Sequence, residues 1–583
     1  MPDVAPSPER PWHRHYDAGV PRTVEPPPGT MVDILRETAV RYGSRTATVF
    51  MGRKATYTDL WTESARAAAL FRALGVRPHD RVALLMPNVP PFIHCCYGAM
   101  MAGAVVVSIN PLGMKRDVAT AIRDSGARVL VALDALLGKF WGELELAGIE
   151  HVLVVRMAGL LPPLLSAGFR LQALFGKVDL PPRNAGRDYL KLVGQMEPLK
   201  EPEPLGPDDV TYFQYTGGTT GAPKAAMLTH RNLTSNTEMC RAWLKTPVGG
   251  SDVGLMVVPF FHVYGMTVGM NLSVRTAMAM ILHPRFDPVA AMRDIQRYHV
   301  TVFPGVQVFY KVIGDHPQAG KYDLKSVRAC ISGAGPLMKE VQDRFESRTG
   351  ARLVEGYGLT EASPVTHCNP LYGMRKTGTI GVPAPSTDAR IVDAETGEKD
   401  LPPESEGELV VRGPQVMKGY WGREEETRSV LRDGWLYTGD IAVMDEDGFF
   451  RIVDRKKEMI KSAGENVYPR NVEEVLYLHP AVSDAAVVGV PDPRAGEKVK
   501  AFVILRAGTR VTADDLIAFC RSHLSRAQIP REVEFRSSLP RNPMGKLLRR
   551  LLAAEEREKA GGPPAAGAAA DSGDRPRRNS GEA

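Results

Sequence analysis

The decapeptide Tyr215-Thr216-Gly217-Gly218-Thr219-Thr220-Gly221-Ala222-Pro223-Lys224 constrains the fold more than any other stretch of the chain. It follows a strand-like run, Val210 to Gln214, and precedes a helix expected to begin near Thr229. Strand, glycine-rich loop and helix in that order make a phosphate-gripping arrangement. Glycines let backbone N–H groups come close to phosphate oxygens, threonine hydroxyls add donors, and the lysine brings a mobile positive charge. A Walker A loop needs Gly and Lys adjacent, whereas two residues part Gly221 from Lys224 here. Alone, the segment is read either as a phosphate site or as an ordinary Gly/Thr turn.

At 583 residues the chain exceeds what one hydrophobic core organises, so several subdomains are expected. The 44% hydrophobic and 24% charged residues are those of a globular protein, not of a disordered or collagenous one. A formal net charge of +6, from 73 basic and 67 acidic side chains, is small for such a surface. The basic runs Arg455-Lys456-Lys457 and Arg549-Arg550 lack interleaved aromatics for base stacking, so nucleic acid is not an expected partner. Six cysteines without CxxC spacing or zinc-finger histidines fit a reducing cytoplasm. The N-terminus carries acids and prolines where a signal peptide has an apolar core. Val253 to Val274 has no Asp, Glu, Lys or Arg, but Pro259, His262, Asn271 and three glycines favour a buried strand, turn and helix over a membrane span.

Helical spacing in Ile34 to Tyr42 and Tyr57 to Leu74 alternates with β-branched runs such as Arg81 to Leu85, which indicates an α/β architecture. The expected organisation is a loosely ordered arm over 1–28, a large multi-subdomain N-terminal domain over 29–454, a small mobile α+β domain over 455–557 and a low-complexity tail over 558–583. The large domain contains a leucine-rich insertion at about 157–186, with Arg170, Lys177 and Arg183 beside Leu171, Leu174 and Phe175. It reads either as a helical hairpin packed on the protein body or as an interfacial helix with its apolar face among lipid chains.

Further segments carry chemistry. Val354-Glu355-Gly356-Tyr357-Gly358-Leu359-Thr360-Glu361 sets an aromatic between two glycines ahead of a Thr-Glu pair, and as a lone peptide reads equally as a turn. Gly434 to Asp440, the apolar Ile441 to Met444, the turn Asp445-Glu446-Asp447-Gly448 and Phe449 to Val453 read as a β-hairpin. Asp454 to Pro469 and Pro540-Arg541-Asn542-Pro543-Met544-Gly545-Lys546 follow in that order.

Together these motifs resemble the adenylate-forming superfamily of acyl-CoA synthetases, luciferases and peptide-synthetase adenylation domains. The similarity spans about Gly29 to Ala553 and is greatest to bacterial long-chain fatty acyl-CoA ligases, notably in GPQVMKGYW and GDIAVMDEDGFFRIVDRKKEMI. The resemblance implies an ATP-dependent ligase that turns a long-chain fatty acid into acyl-AMP, then acyl-CoA, with ATP, Mg²⁺ and CoA as cofactors or co-substrates. It assigns phosphate and nucleotide binding to Thr216, Gly217, Gly218, Thr219, Thr220, Gly221, Lys224, Gly333, Ala334, Gly356, Tyr357 and Gly358. Thr360 and Glu361 would serve catalysis, with Thr220 and Glu361 on the metal. Asp440 would bind the ribose, helped by Arg455; Lys457 would be the hinge, and Gly464 would let the CoA arm pass.

Lys546 would be the main catalytic cation, exchanged for the Gly464 loop when the small domain rotates. His262, Tyr264 and Gly265 would border the acyl substrate, with His262 alternatively a satisfied core histidine. Ala225 stands where glycine usually follows the loop lysine, and Ala463 where serine or glycine is commoner. Alternatives are an acyl-AMP ligase that loads a carrier protein and a non-catalytic acyl-binding, membrane-associated protein. A monomer or homodimer, cytoplasmic with peripheral membrane contact, completes the expectation.

Overall fold

Runs of Val, Leu and Ile without polar alternation, such as Val129–Leu133, are what a strand buried on both faces requires, and the chain lays them into mostly parallel sheets covered by helices. The structure is a computed structural model. It describes residues 10–145, 148–175, 178, 180–182, 184–216, 223–462, 465–492, 496–541 and 547–559. Within these residues it divides into two units, Met1–Thr438 with Ala442–Ile452, and Gly439–Ile441 with Val453–Ala583.

The larger unit contains a nine-stranded sheet whose central strands, Arg352–Gly358, Ala329–Ser332, Val302–Gly305, Val253–Met256, Ala279–Leu282 and Thr46–Phe50, run parallel in that order. An eight-stranded sheet places Lys224–Thr229, Val210–Thr216, Val105–Ser108, Arg81–Leu85 and Val129–Leu133 side by side. The expected helices are Met31–Tyr42 and Tyr57–Ala73, each opened by a threonine N-cap in a capping box. The candidate span Val253 to Val274 is the strand Val253–Met256, a π-helix over Gly265–Asn271 and the short helix Leu272–Thr276. Among the described residues no helix is long and apolar enough to cross a membrane.

Three expectations change. The phosphate loop is followed by a strand, not directly by a helix. Lys224–Thr229 pairs antiparallel with Val210–Thr216, Thr216 opposite Lys224, and the helix His230–Trp243 begins where it was expected, behind its N-cap Thr229. The helix dipole therefore starts a full strand away from the loop lysine.

The N-terminal arm is ordered from Arg10. Trp12 is buried against Phe450, and the Asp17 carboxylate accepts the N–H groups of Leu371, Tyr372 and Gly373 at 3.0, 2.9 and 2.5 Å. A buried indole and three charge-assisted hydrogen bonds outweigh the proline-rich composition on which the loose arm was expected.

In the leucine-rich insertion, the helices Met157–Leu160 and Pro163–Leu174 do form a hairpin, with the Ser166 hydroxyl donating to the Ala158 carbonyl at 2.8 Å. No residue of Pro163–Leu174 is buried, however, so the apolar face is not packed on the body of the protein.

The smaller unit is α+β, as its patterning indicates. Val482–Asp492 and Gly496–Leu505 form a long antiparallel pair, Glu532–Phe535 adds in parallel, and the helix Pro469–Leu478 packs Val472 and Leu476 onto them. The helix Arg549–Lys559 starts on a buried ion cluster. Arg549 donates to both carboxylate oxygens of Glu473 at 2.8 and 2.6 Å, pairs with Glu458 and lies 3.7 Å from Asp454. The low-complexity tail from residue 560 lies outside the described residues.

Candidate active site

Ligands of open α/β sheets bind beyond the carboxyl ends of the strands. In the larger unit, those ends carry several of the residues singled out in the sequence. Ala329–Ser332 runs into Gly333, whose N–H donates to the Gly305 carbonyl at 3.1 Å, and Ala334, which has a left-handed φ of 65°. Arg352–Gly358 ends in Gly356, Tyr357 and Gly358, then Thr360–Ala362 forms one 3₁₀ turn that projects Glu361. A Cβ on Gly358 would fall 2.2 Å from the Pro364 carbonyl oxygen, so the position admits glycine alone without backbone movement. Tyr357 is half-buried and meets His367 edge to face at 6.0 Å; burial pushes the His367 imidazole down to about 3, leaving it neutral.

Glu361 and Lys224 converge on one side chain. The Tyr420 hydroxyl donates to Glu361 Oε1 at 2.6 Å, and Lys224 Nζ lies 5.5 Å from the centre of the Tyr420 ring and 3.9 Å from Glu426. Short strand pairing fixes Tyr420, with Gly419 opposite Met227 and Tyr420 opposite Ala226, and the Met417 N–H donates to the Glu361 carbonyl at 2.8 Å. The two motifs are thus stitched together through residues 417–420, which the sequence offered only as part of a family-like string. Nothing in local periodicity signals that pairing, because its partners are far apart in the chain.

Among the described residues no three His, Cys, Asp or Glu side chains assemble into a metal-binding cluster. A partly buried carboxylate such as Glu361 is the kind of ligand that suits Mg²⁺, which keeps several waters and is held by one or two carboxylates together with nucleotide phosphates. Ala225, the departure beside the loop lysine, is 1% exposed and packs in the core with Phe213. Strand alternation puts its methyl on the face opposite Lys224.

The apolar segment Pro259 to Gly265 is held by side chains that sequence patterning did not single out. Asn88 donates to the carbonyls of Met256 and Val258 at 3.0 and 2.9 Å and accepts the Phe260 N–H at 2.7 Å, while Ser108 and Gln214 both donate to the Phe261 carbonyl. The Tyr264 hydroxyl is spent on the Ile331 carbonyl at 2.7 Å, and a Cβ on Gly265 would strike the Pro259 carbonyl oxygen at 2.2 Å. His262 is half-buried and accepts the Tyr264 N–H through Nδ1 at 3.2 Å, so its neutral form carries the proton on Nε2. The following π-helix is the kind of irregularity that accompanies functional sites.

In the smaller unit Asp440 and Arg455 form an ion pair at 3.1 Å, with the Asp440 side chain 6% exposed, and the Lys456 N–H donates to the Gly439 carbonyl at 2.9 Å. Lys457 lies in the turn that follows. Gly217, Gly218, Thr219, Thr220, Gly221, Ala463, Gly464 and Lys546 lie outside the described residues. The cysteines are free and buried, and burial lifts the Cys330 and Cys368 thiols well above the usual range, as it lifts Cys240 to about 12. None is poised as a thiolate nucleophile.

Residues 35–421 match the model of the AMP-binding enzyme family, and 471–546 that of the AMP-binding enzyme C-terminal domain. A long-chain-fatty-acid–CoA ligase of Bacillus subtilis is 43% identical over 93% of this chain and 98% of its own length. One from Escherichia coli is 37% identical over 93% and 97%. The crystal structure of ATP-bound MatB from Rhodopseudomonas palustris superposes with a TM-score of 0.78 at 27% identity, covering 91% of this chain and 99% of that one. The chain belongs to the AMP-binding enzyme family.

Proposed function

We propose that this enzyme activates a long-chain fatty acid with ATP, forming acyl-AMP and pyrophosphate, and then passes the acyl group to CoA with release of AMP. The observation that carries the reading is the meeting of Lys224, from the phosphate-loop hairpin, and Glu361, from the end of a parallel strand, on Tyr420. The names of relatives matched nearly end to end supply the substrate class.

A carboxylate is a poor acyl donor, because its charge repels nucleophiles and oxide cannot leave. Adenylation removes both defects. The carboxylate oxygen attacks the α-phosphorus in line, and charge gathering on the phosphorus oxygens calls for fixed donors and cations. Thr216 to Lys224 would hold the phosphates, with Lys546 adding the cation. Glu361, with Thr220, would hold Mg²⁺, which when bound neutralises phosphate charge. Tyr357 would face the base, flanked by Gly333, Ala334, Gly356 and Gly358, with Thr360 beside the phosphates. Asp440, oriented by Arg455, would accept from the ribose hydroxyls. The segment His262 to Gly265 would wall the acyl pocket.

In the second half-reaction the CoA thiol attacks the acyl carbonyl where Lys546 had stood, so the small domain turns about Lys457 and presents Gly464. The hairpin turn at Asp445–Gly448 leads straight into that hinge with no inserted segment, which favours CoA over a carrier protein as acceptor. The test is AMP release with and without CoA across acids of two to twenty carbons. CoA-dependent release rising to a maximum at long chains is the expected result; a maximum at short or aromatic acids contradicts the substrate class.

A specific observation also supports membrane contact. Leu164, Leu165, Leu171, Leu174 and Phe175 are 51–88% exposed on one short helix and its end, and 156–175 carries Arg156 and Arg170 with no acid. Apolar side chains in water beside cations suit an anionic bilayer surface, and would place the enzyme where its substrate dissolves. Replacing Leu171, Leu174 and Phe175 by glutamate is expected to abolish co-sedimentation with anionic vesicles while leaving activity on soluble shorter acids intact. Unchanged co-sedimentation removes this reading.

A further inference from the structure

Tyr420 is 8% exposed, yet it reaches two charged groups, Glu361 and Lys224. Its hydroxyl gives Glu361 a short, charge-assisted hydrogen bond of 2.6 Å, and its ring lies 5.5 Å beneath the Lys224 ammonium, within cation–π range. The backbone that presents it is over-determined. Its N–H donates to Thr427 Oγ1 at 2.9 Å and its strand pairs with Ala226, two residues beyond Lys224. Gly419 before it has a φ of 144°, and a Cβ there would come within 2.8 Å of Thr427 Cγ2, so this close approach needs glycine.

We propose that Tyr420 is a positioning residue of the adenylation site, orienting the Glu361 carboxylate through its hydroxyl and the Lys224 ammonium over its ring before nucleotide arrives. The inference rests on Glu361 meeting the metal–nucleotide complex. Holding one carboxylate oxygen fixes the direction in which the other faces, so the ordering of a half-exposed glutamate is complete before ATP binds. Glu426, 3.9 Å from Lys224, completes the resting place of the lysine.

The test is Tyr420→Phe, which keeps the ring and removes the hydroxyl. ATP binding is followed by calorimetry as free Mg²⁺ is varied, with Glu361→Gln run alongside. The Mg²⁺ concentration for half-maximal ATP binding is expected to rise about tenfold in Tyr420→Phe, the scale of one hydrogen bond to a charged group. Metal-free AMP binding, the melting temperature and thioester formation from supplied acyl-AMP should stay unchanged. Tyr420→Leu, which also removes the ring, is expected to weaken ATP binding even at saturating Mg²⁺. A shift in Glu361→Gln without one in Tyr420→Phe overturns the role of Tyr420 alone. No shift in either variant overturns the reading of Glu361 as well, and an equal loss of metal-free AMP binding in Tyr420→Phe reduces Tyr420 to a structural part.

Discussion

Replacing Lys546 by alanine is expected to slow acyl-adenylate formation by about 10²-fold or more, while thioester formation from supplied acyl-AMP is largely retained. The asymmetry matters more than the size. A cation that stabilises charge on the α-phosphorus contributes only while that charge is developing, and the thiol attack that follows develops charge on an acyl carbonyl instead. Lys546 ends the segment that matches the family's C-terminal domain, the place the motif order assigns to this cation. Rapid-quench measurement of the two half-reactions, one started with ATP and fatty acid and the other with acyl-AMP and CoA, separates them. Equal losses in both would show that Lys546 holds the fold or binds nucleotide throughout, not that it acts in the first step.

The second large effect lies in the smaller unit and concerns stability. Arg549→Met would leave the Glu473 and Asp454 side chains, 7% and 3% exposed, without their cation. Removing one partner of a buried ion pair costs about 3–5 kcal/mol, because the remaining charge is neither solvated nor neutralised. Burial already lifts the Asp454 carboxyl to about 6, and Arg549 opposes that rise.

Glu473 also accepts the Val487 N–H at 2.8 Å, so the cluster ties Pro469–Leu478 to the edge strand Val482–Asp492. Tryptophan fluorescence would not report the change, since Trp12, Trp61, Trp141, Trp243, Trp421 and Trp435 all belong to the larger unit. Amide hydrogen exchange does. Exchange in Val482–Asp492 and Gly496–Leu505 should quicken by about 10²-fold or more, with the larger unit unaffected. Unaltered protection in these strands would mean that the cluster contributes little net stability.

These two sites show where sequence reasoning reached and where it stopped. The α/β class, the hairpin at Asp445–Gly448 and the helices of both units were legible because each rests on local periodicity or turn chemistry. The Thr30 and Thr56 capping boxes, each spanning four residues, were not singled out in the sequence and add to that periodicity. The strand Lys224–Thr229 was missed because Lys-Ala-Ala-Met-Leu-Thr carries neither alternation nor β-branched enrichment; its strand character comes from pairing with Val210–Thr216.

The N-terminal arm was misjudged for a related reason. Proline content speaks against regular structure, but Trp12 and Asp17 hold the arm through contacts with residues more than 350 positions away, which composition does not register. Motif order singled out Glu361, Asp440 and Arg455, whereas Tyr420, Asn88 and Gln214 are defined only by what they touch in space. Ala225 is the converse case. Sequence alone left the effect of its methyl open, and the structure packs it in the core with Phe213.

The central claim is that the carboxylate itself attacks the α-phosphorus of ATP, and the fate of its oxygen tests this most directly. A long-chain acid labelled with oxygen-18 in its carboxyl group is turned over with ATP and CoA, and the products are analysed by mass spectrometry. Attack on the α-phosphorus predicts one labelled oxygen in every AMP released and none in pyrophosphate, since the thiol then cleaves the bond between the acyl carbon and that oxygen. Unlabelled AMP, or label appearing in inorganic phosphate, would contradict it.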